Sequence, residues 1–332
     1  KKNYLKKIRK KLNKDEKKWT RVWKMIGKKN IAIFILTLLL FSIPKLSYSA
    51  KLEVQYAGFA TTGSYADRDK FAPYTSKILN SDLVIVATLS KNRANLLIKL
   101  MKNGHKRILS EKFVCQSKNQ YEKIIQICKT KQAKIWVNTN PRCFNSYVKL
   151  KKILSNNKPI NVTIHSNPKL GLGTNIIHYL DLFSWMNDDY DVTLDGVLLN
   201  KLLPNKRGKD FVEFSGTVTG HLKNNAIFVM SFLECYPNNV TIQLSNTVDE
   251  FCIDETSQKM IRIKNFKSKL EKFSFEHAST LTKTLAIDIL KNDCCKLPTI
   301  IESYTPHLEI FRIFNHHIHN ISKRNVKLCP IT

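Results

Sequence analysis

Asp82-Leu83-Val84-Ile85-Val86-Ala87-Thr88 is the stretch whose reading decides the fold. Between its two polar ends no polar residue interrupts the run, so a strand here has both faces buried. Strands of that kind belong to parallel sheets covered by helices, whereas half-exposed antiparallel strands alternate. The following residues keep the same rhythm. Ala94–Lys102 reads as a helix with Leu96, Leu97 and Leu100 on one face and Gly104 as its cap. Arg107–Ser110 reads as a short strand. Asn119–Lys131 reads as a helix with Tyr121, Ile124, Ile125 and Cys128 on its apolar side, and Ala133–Asn138 returns as a strand. Strand, helix, strand, helix, strand predicts a doubly wound α/β layer.

Toward the N-terminus, Asn30–Ile35 and Lys51–Tyr56 read as the first two strands of that layer. Residues 31–43 admit a second reading. Their thirteen largely apolar residues are too few to span a bilayer, which takes about 20. They do match a secretory core preceded by Lys28 and Lys29, with residues 44–50 as the cleavage region. The sheet reading carries a cytoplasmic expectation. The signal reading leaves open a secreted or membrane-associated protein.

Toward the C-terminus the pattern changes. Ser146–Leu154 and Thr174–Met186 read as helices, with the half-buried strand Asn161–His165 between them. Six strand segments with short links follow: Val192–Leu199, Phe211–Thr219, Ala226–Leu233, Val240–Ser245, Phe251–Asp254 and Met260–Ile263. Such a succession predicts an antiparallel sheet. Two helices close the chain, Phe275–Leu290 and Pro298–His319, the second with Pro in its first turn. The expected fold is a Rossmann-like doubly wound parallel sheet followed by an α+β domain with a mostly antiparallel, open-faced sheet. The expected divisions are a basic extension over 1–30, a degenerate nucleotide-binding domain over 31–140 and a substrate and oligomerisation domain over 141–325.

The chain of 332 residues is long enough for two such domains, and its 43 % hydrophobic content supports packed cores. Its formal charge of +29 raises nucleic acid, membrane surfaces and anionic metabolites as partners. Lys outnumbers Arg 45 to 10, which fits AT-rich coding and leaves few residues suited to bidentate phosphate or guanine contacts. The expected partner is therefore a small molecule and not a nucleic acid. Residues 1–30 hold 14 Lys or Arg against Asp15 and Glu16. With Trp19, Val22 and Trp23 as an apolar side, this segment reads either as a helix on an anionic membrane surface or as a solvated extension. The eight Cys residues have no metal spacing and sit in apolar segments, as buried free thiols in a reducing compartment do. His316, His317 and His319 look like a metal cluster, but adjacent helical residues point apart, and no metal is expected.

Four stretches resemble, in order, the glucose-fructose oxidoreductase and inositol dehydrogenase family, Gfo/Idh/MocA. They are Asp82–Thr88 leading to Ser110-Glu111-Lys112-Phe113; Trp136–Phe144 with Tyr147 beyond; Gly171–Met186, containing His178 and Asp181; and Leu297-Pro298-Thr299 with Glu302. The resemblance covers residues 80–320. It implies hydride transfer between a nicotinamide cofactor, NAD or NADP, and a hydroxyl carbon of a sugar, nucleotide sugar or cyclitol, in a homo-oligomer. On that basis Lys112 would hold the reacting oxygen, His178 would exchange the hydroxyl proton, and Asp181 would orient the imidazole or contact hydroxyls. Thr88, Glu111, Asn140 and Arg142 would contact the cofactor, and Tyr147 and Thr174 the substrate.

The sequence also departs from that family. Dinucleotide sites use a glycine-rich turn so that backbone amides approach the pyrophosphate at a helix N-terminus. No Gly stands between Gly27 and Gly58, and the expected turn reads Leu36-Thr37-Leu38-Leu39-Leu40-Phe41. The acid that grips the ribose is replaced by Tyr56-Ala57-Gly58. Phe113 stands for the usual Pro, Thr174 for a frequent Asp and Arg93 for a frequent His. Side chains at 38–41 would desolvate the phosphates without supplying donors, so weak or absent dinucleotide binding is expected. Three hypotheses remain: a sugar-type dehydrogenase, a non-catalytic relative serving as a binding or scaffolding module, and, from charge alone, a nucleic-acid binder.

Overall fold

The computed structural model describes residues 81–332, except His277 and Arg324, and these lie within one compact unit of the chain. The basic segment 1–30, the strand expectations Asn30–Ile35 and Lys51–Tyr56, the turn Leu36–Phe41 and the signal-segment alternative fall outside the described residues.

The apolar run around Ile85 forms β1 (Val84–Val86), paired in parallel with β2 (Arg107–Glu111), which pairs in parallel with β3 (Lys134–Asn138). Helix α1 (Ser90–Lys102) connects the first pair and α2 (Lys118–Lys131) the second. Ser117 caps α2 by accepting from the Gln120 amide, a side-chain acceptor for an otherwise orphan donor. Leu97, Leu100, Tyr121 and Ile124 are fully buried or nearly so, so the apolar stripes read from sequence face the core.

A short 3-10 turn, Asn140–Cys143, leads from β3 into α3 (Asn145–Leu154). β4 (Asn161–Ser166) then opens an eight-stranded sheet, and α4 (Leu172–Asn187) crosses it. The later strands are β5 (Thr193–Leu198), β8 (Gly216–His221), β9 (Ile227–Phe232), β10 (Thr241–Ser245), β11 (Asp249–Asp254), β12 (Lys259–Lys264) and β13 (Lys267–Lys272). Their spatial order is β13-β12-β11-β10-β4-β9-β8-β5, antiparallel throughout except for β4 against β9. A small hairpin arm, β6 (Leu203–Pro204) with β7 (Val212–Glu213), interrupts the order between β5 and β8.

Alternation on these strands sorts the faces. Val162, Ile164, Phe228, Met230, Ile242, Leu244, Phe251 and Ile253 are fully buried, and Phe183 of α4 meets Phe228 at 5.5 Å between ring centroids. The opposite face carries Thr163, Val229, Gln243 and Cys252, with Val197, Ile261 and Leu270 exposed at 79, 41 and 69 %. The sheet is thus open on one side, as expected.

Three details differ from the sequence reading. The segment Phe211–Thr219 is two strands, because Gly216 takes φ +132° and turns the chain where an added Cβ would lie 2.7 Å from the Leu198 Cα. Lys267–Lys272 is an eighth strand that its charge concealed; as an edge strand it keeps Lys side chains in water and discourages further pairing. Pro298 does not begin a helix. Its carbonyl accepts from the Val137 amide and Ile300 donates to Ile135, so this segment pairs beside β3. The last helix, α6, runs Tyr304–Ser322. Helix α5 (Ala278–Asn292) returns to the first layer, where Leu285 and Ile289 pack with Leu109 and Trp136. The segment 141–325 thereby contributes to both layers.

The thiols are less uniformly buried than expected. Cys115, Cys128, Cys143 and Cys329 are buried, but Cys235 and Cys294 are exposed, and all eight are free. Cys235 lies in the turn after β9 and Cys294 just after the helix Ala278–Asn292.

Candidate functional site

The C-terminal ends of β1, β2 and β3 deliver Thr88, Glu111–Lys112 and Asn140 to one edge of the parallel sheet. Open α/β sheets bind ligands at that edge. Lys112 is 7 % exposed, and its Nζ donates to the Thr174 carbonyl at 2.8 Å, in the first turn of α4. His178 lies one turn further along α4, partly buried, with its Nδ1 enclosed and without a partner among the described residues. Burial drives the Lys112 ammonium from its usual 10.5 down to about 7, with Arg207 adding repulsion. Burial, reinforced by Lys112, pushes the His178 imidazole down to about 3. Near neutrality the imidazole is therefore neutral and the amine close to its midpoint, a pairing that suits proton exchange.

Two further buried atoms at this edge lack partners among the described residues: the hydroxyl of Thr88 and the amide oxygen of Asn140. Buried polar atoms are nearly always paired, so orphans gathered at one sheet edge fit a ligand that supplies hydrogen bonds. In that respect the described residues fit a nicotinamide and ribose. Glu111 is engaged otherwise, its Oε1 accepting from Asn138 Nδ2 at 2.6 Å.

Asp181 belongs to a different group. One oxygen accepts from the Thr139 hydroxyl at 2.8 Å and the other from Arg142 Nη1 at 3.1 Å, all three residues being buried. Burial pushes its carboxyl up to about 6 against the pull of Arg142. Arg142 also lies over the rings of Trp185 and Tyr190. Asp181 makes no hydrogen bond to His178, so the expected orienting contact is replaced by a clamp between α4 and the turn after β3. Tyr147 is likewise engaged elsewhere. Its hydroxyl and that of Tyr179 both donate to Glu255, at 2.6 and 2.8 Å, inside the core.

Thr174 is the link between Lys112 and an adjoining cleft of about 780 Å³. The cleft is lined by residues 167–171, Thr174, the arm residues 203–207, Glu213 and Glu234. Glu213, buried at the base of the arm, accepts from the Thr174 amide at 3.2 Å, from the Thr174 hydroxyl and from Asn205 Nδ2 at 2.9 Å. It serves as an internal anion at the N-terminus of α4, where backbone amides favour negative charge. Gly171 and Gly173 are required for it: a Cβ on Gly171 would lie 2.8 Å from Glu213 Oε1, and Gly171 has φ +85°. The glycine-rich lead-in to α4 thus accommodates a carboxylate of the chain itself.

Sequence reading missed Glu213 and Arg207, which carry no motif of their own, and gave no role to Thr139, which lies inside the Trp136–Phe144 stretch. Arg93, which stands where the resembling family frequently has His, has a structural role. Its buried guanidinium donates to the carbonyls of Glu111 and Phe113, gripping the backbone on both sides of Lys112. The tail crosses the same region. Ser90 donates to Ile331 O at 2.6 Å, Gln116 Nε2 to Cys329 O at 2.9 Å, and Lys112 Nζ to Thr332 O at 3.4 Å. Among the described residues no group of three or more His, Cys, Asp or Glu is placed to hold a metal, and no helix is long and apolar enough to cross a membrane. His317 instead contacts the Leu199 carbonyl and His316 the Asn320 side chain.

No family model and no curated protein matches the sequence. Solved structures do resemble it. The UDP-N-acetylglucosamine 3-dehydrogenase GnnA of Acidithiobacillus ferrooxidans superposes with a TM-score of 0.58 at 12 % identity, over 73 % of this chain and 80 % of that one. The dehydrogenase MviM of Clostridium difficile gives 0.53 at 14 %, over 74 % and 80 %. The super-repressor mutant of Gal80p from Saccharomyces cerevisiae gives 0.55 at 14 %, over 72 % and 78 %. With its parallel layer, its open mixed sheet and these neighbours, the chain has the two-domain fold of the Gfo/Idh/MocA-type oxidoreductases.

Proposed function

We propose that this protein is an oxidoreductase acting on a hydroxyl of a sugar-like small molecule, with Lys112 as the proton-exchanging group. The observation that carries the reading is the Lys112 ammonium, buried beside His178 and held near a pKa of about 7 at the ligand-binding edge of the sheet. A general acid or base is most effective when its pKa lies near the working pH, and His178 at about 3 is the weaker base of the two. The roles expected from resemblance therefore divide differently. Lys112 takes the hydroxyl proton and stabilises negative charge on the oxygen. His178, neutral, accepts a substrate hydroxyl hydrogen at Nδ1. Thr88 and Asn140 would hold the nicotinamide portion of NAD or NADP, which would supply the hydride acceptor when bound. Asp181, Arg142 and Tyr147 position α4 and take no part in the chemistry.

A second reading, a non-catalytic binding module, has its own support. The tail hydrogen-bonds across Ser90 and Lys112, and the expected pyrophosphate turn reads Leu36–Phe41. Titration of the full chain with NADH and NADPH at physiological salt, followed by tryptophan fluorescence, separates the two. Micromolar binding of either, with sugar-dependent turnover that Lys112→Met abolishes, supports the enzyme. No binding up to millimolar cofactor supports the binding module.

A further inference from the structure

The connection between β12 and β13 runs against local preference. Asn265 and Phe266 form a two-residue turn with φ +50° and +59°. Such a turn needs both residues in the left-handed region, and its second position ordinarily takes Gly. A bulky residue there is a strained exception, of the kind kept where function requires it. Phe266 is also wholly exposed, at 105 %. Single exposed apolar side chains are common, but one that is both strained and entirely in water gains nothing for the fold.

Strand register shows what shares this end of the eight-stranded sheet. Lys264 pairs with Lys267 across the turn and with Asp249 on β11. The turn between β10 and β11, with Val248 exposed, therefore lies beside it. Ser245 of β10 pairs with Asn161, whose side chain accepts from the amide of Ile227, the exposed first residue of β9. Three exposed apolar residues thus cross one end of the sheet. The charge around them is unbalanced. Asp249 is matched by Arg262, Glu271 by Lys269 and Asp191 by Lys223. Lys264 and Lys267, which flank Phe266, are exposed and form no ion pair among the described residues. The hairpin 259–272 as a whole carries six Lys or Arg against Glu271.

We infer that this end of the sheet rests on an anionic lipid surface, Phe266 entering the boundary between headgroups and acyl chains and Lys264 and Lys267 lying on the headgroups. An apolar tip flanked by lysines suits that boundary, because the ring leaves water while each ammonium stays among the headgroups. Nucleic-acid recognition favours the planar guanidinium, and the hairpin's Arg262 is held by Asp249. One shallow tip binds a membrane weakly, and stable attachment takes a second signal. The sequence carries one in its 14 Lys or Arg within residues 1–30, followed by the apolar run 31–43. The inference does not depend on the oxidoreductase reading. It is also compatible with pairing of two copies through the open face of the sheet, where Ile261 and Leu270 lie.

Flotation of the full chain with vesicles of phosphatidylcholine, alone or with about one third phosphatidylserine, tests it. The protein should bind the anionic vesicles and not the neutral ones. Phe266→Gly suits the turn and should fold at least as stably, yet it should weaken binding about tenfold. Lys264→Gln combined with Lys267→Gln should weaken it about 25-fold, from about 1 kcal/mol per lysine near such a surface. Brominated acyl chains should quench the fluorescence of Phe266→Trp beyond that of the unsubstituted protein. Equal binding of wild type and both variants would assign the attachment to the N-terminal segment and overturn the inference. So would failure of the wild type to bind, or oligonucleotide binding that the lysine variant loses while its vesicle binding is unchanged. A dimer that Phe266→Gly alone reduces to monomer would place the ring in a contact between copies, and would overturn it as well.

Discussion

Replacing Lys112 by Met should stabilise the protein while abolishing its activity. The folded protein holds this side chain at a pKa of about 7 against 10.5 in the unfolded chain, chiefly through burial. At about 1.4 kcal/mol per pH unit, carrying the ammonium into the fold costs about 5 kcal/mol. Below pH 7 that penalty is complete. Between pH 7 and 10.5 the unfolded chain binds more protons here than the folded protein, so stability rises with pH and the penalty disappears by 10.5. Met matches the length of the stem and removes the charge. It also forfeits the hydrogen bonds to the Thr174 and Thr332 carbonyls, each worth about 1 kcal/mol. The net gain at pH 7 is then about 3 kcal/mol, which in a protein of this size raises Tm by roughly 5–10 °C. At pH 9 the gain should have fallen to near zero. Urea unfolding of both proteins at pH 6, 7, 8 and 9 in phosphate-free buffer measures it. A variant less stable than wild type at pH 7, or a difference independent of pH, would refute the argument that Lys112 is a buried ammonium kept for function at the expense of stability.

Asp181→Ala should cost about 3–5 kcal/mol, because Arg142 is left buried without its counter-charge, whereas Asp181→Leu combined with Arg142→Met should cost far less. Denaturant melts of the single and double variants check this, and equal losses would contradict the clamp. Gly171→Ala should destabilise by about 2 kcal/mol or more, since the new Cβ would meet Glu213 at 2.8 Å on a backbone with φ +85°; an unchanged Tm would argue against it. The open face of the eight-stranded sheet should pair two copies of the chain, because exposed Val197, Ile261 and Leu270 lie along it. Sedimentation velocity should show a dimer that Ile261→Lys reduces to monomer, and a wild-type monomer at micromolar concentration would overturn the prediction.

Strands and helices with strong periodicity were readable without tertiary information. The unbroken apolar run at 83–87 announced a strand, although its two faces are not both buried as expected, since Val84 and Val86 are buried and Ile85 between them is 38 % exposed; the alternation in Asn161–Ser166 and Asp249–Asp254 required one buried and one open face. Order of elements then limited the topology to a parallel layer followed by a mostly antiparallel one. Lys112 and His178 were legible as candidates because ordered motifs place them at a strand end and on a helix.

Tertiary structure decided what those residues touch. Lys267–Lys272 has too little apolar signal to declare itself a strand, and only the neighbouring edge at Lys259–Lys264 recruits it. Pro298 satisfies local rules for a helix start, yet a free edge beside Trp136 and Val137 claims its backbone instead. Asp181 stands three residues from His178 on one helix, but Thr139 and Arg142, 42 and 39 residues distant, bind its oxygens first. Glu213 and Arg207 come from the arm to the Thr174 end of α4, and Arg93 comes from a helix to the carbonyls of Glu111 and Phe113 on either side of Lys112. Their effect there is electrostatic, set by distance and by exclusion of water. Neither quantity is encoded in local spacing, because each depends on which distant segments the fold brings within a few ångströms of one another.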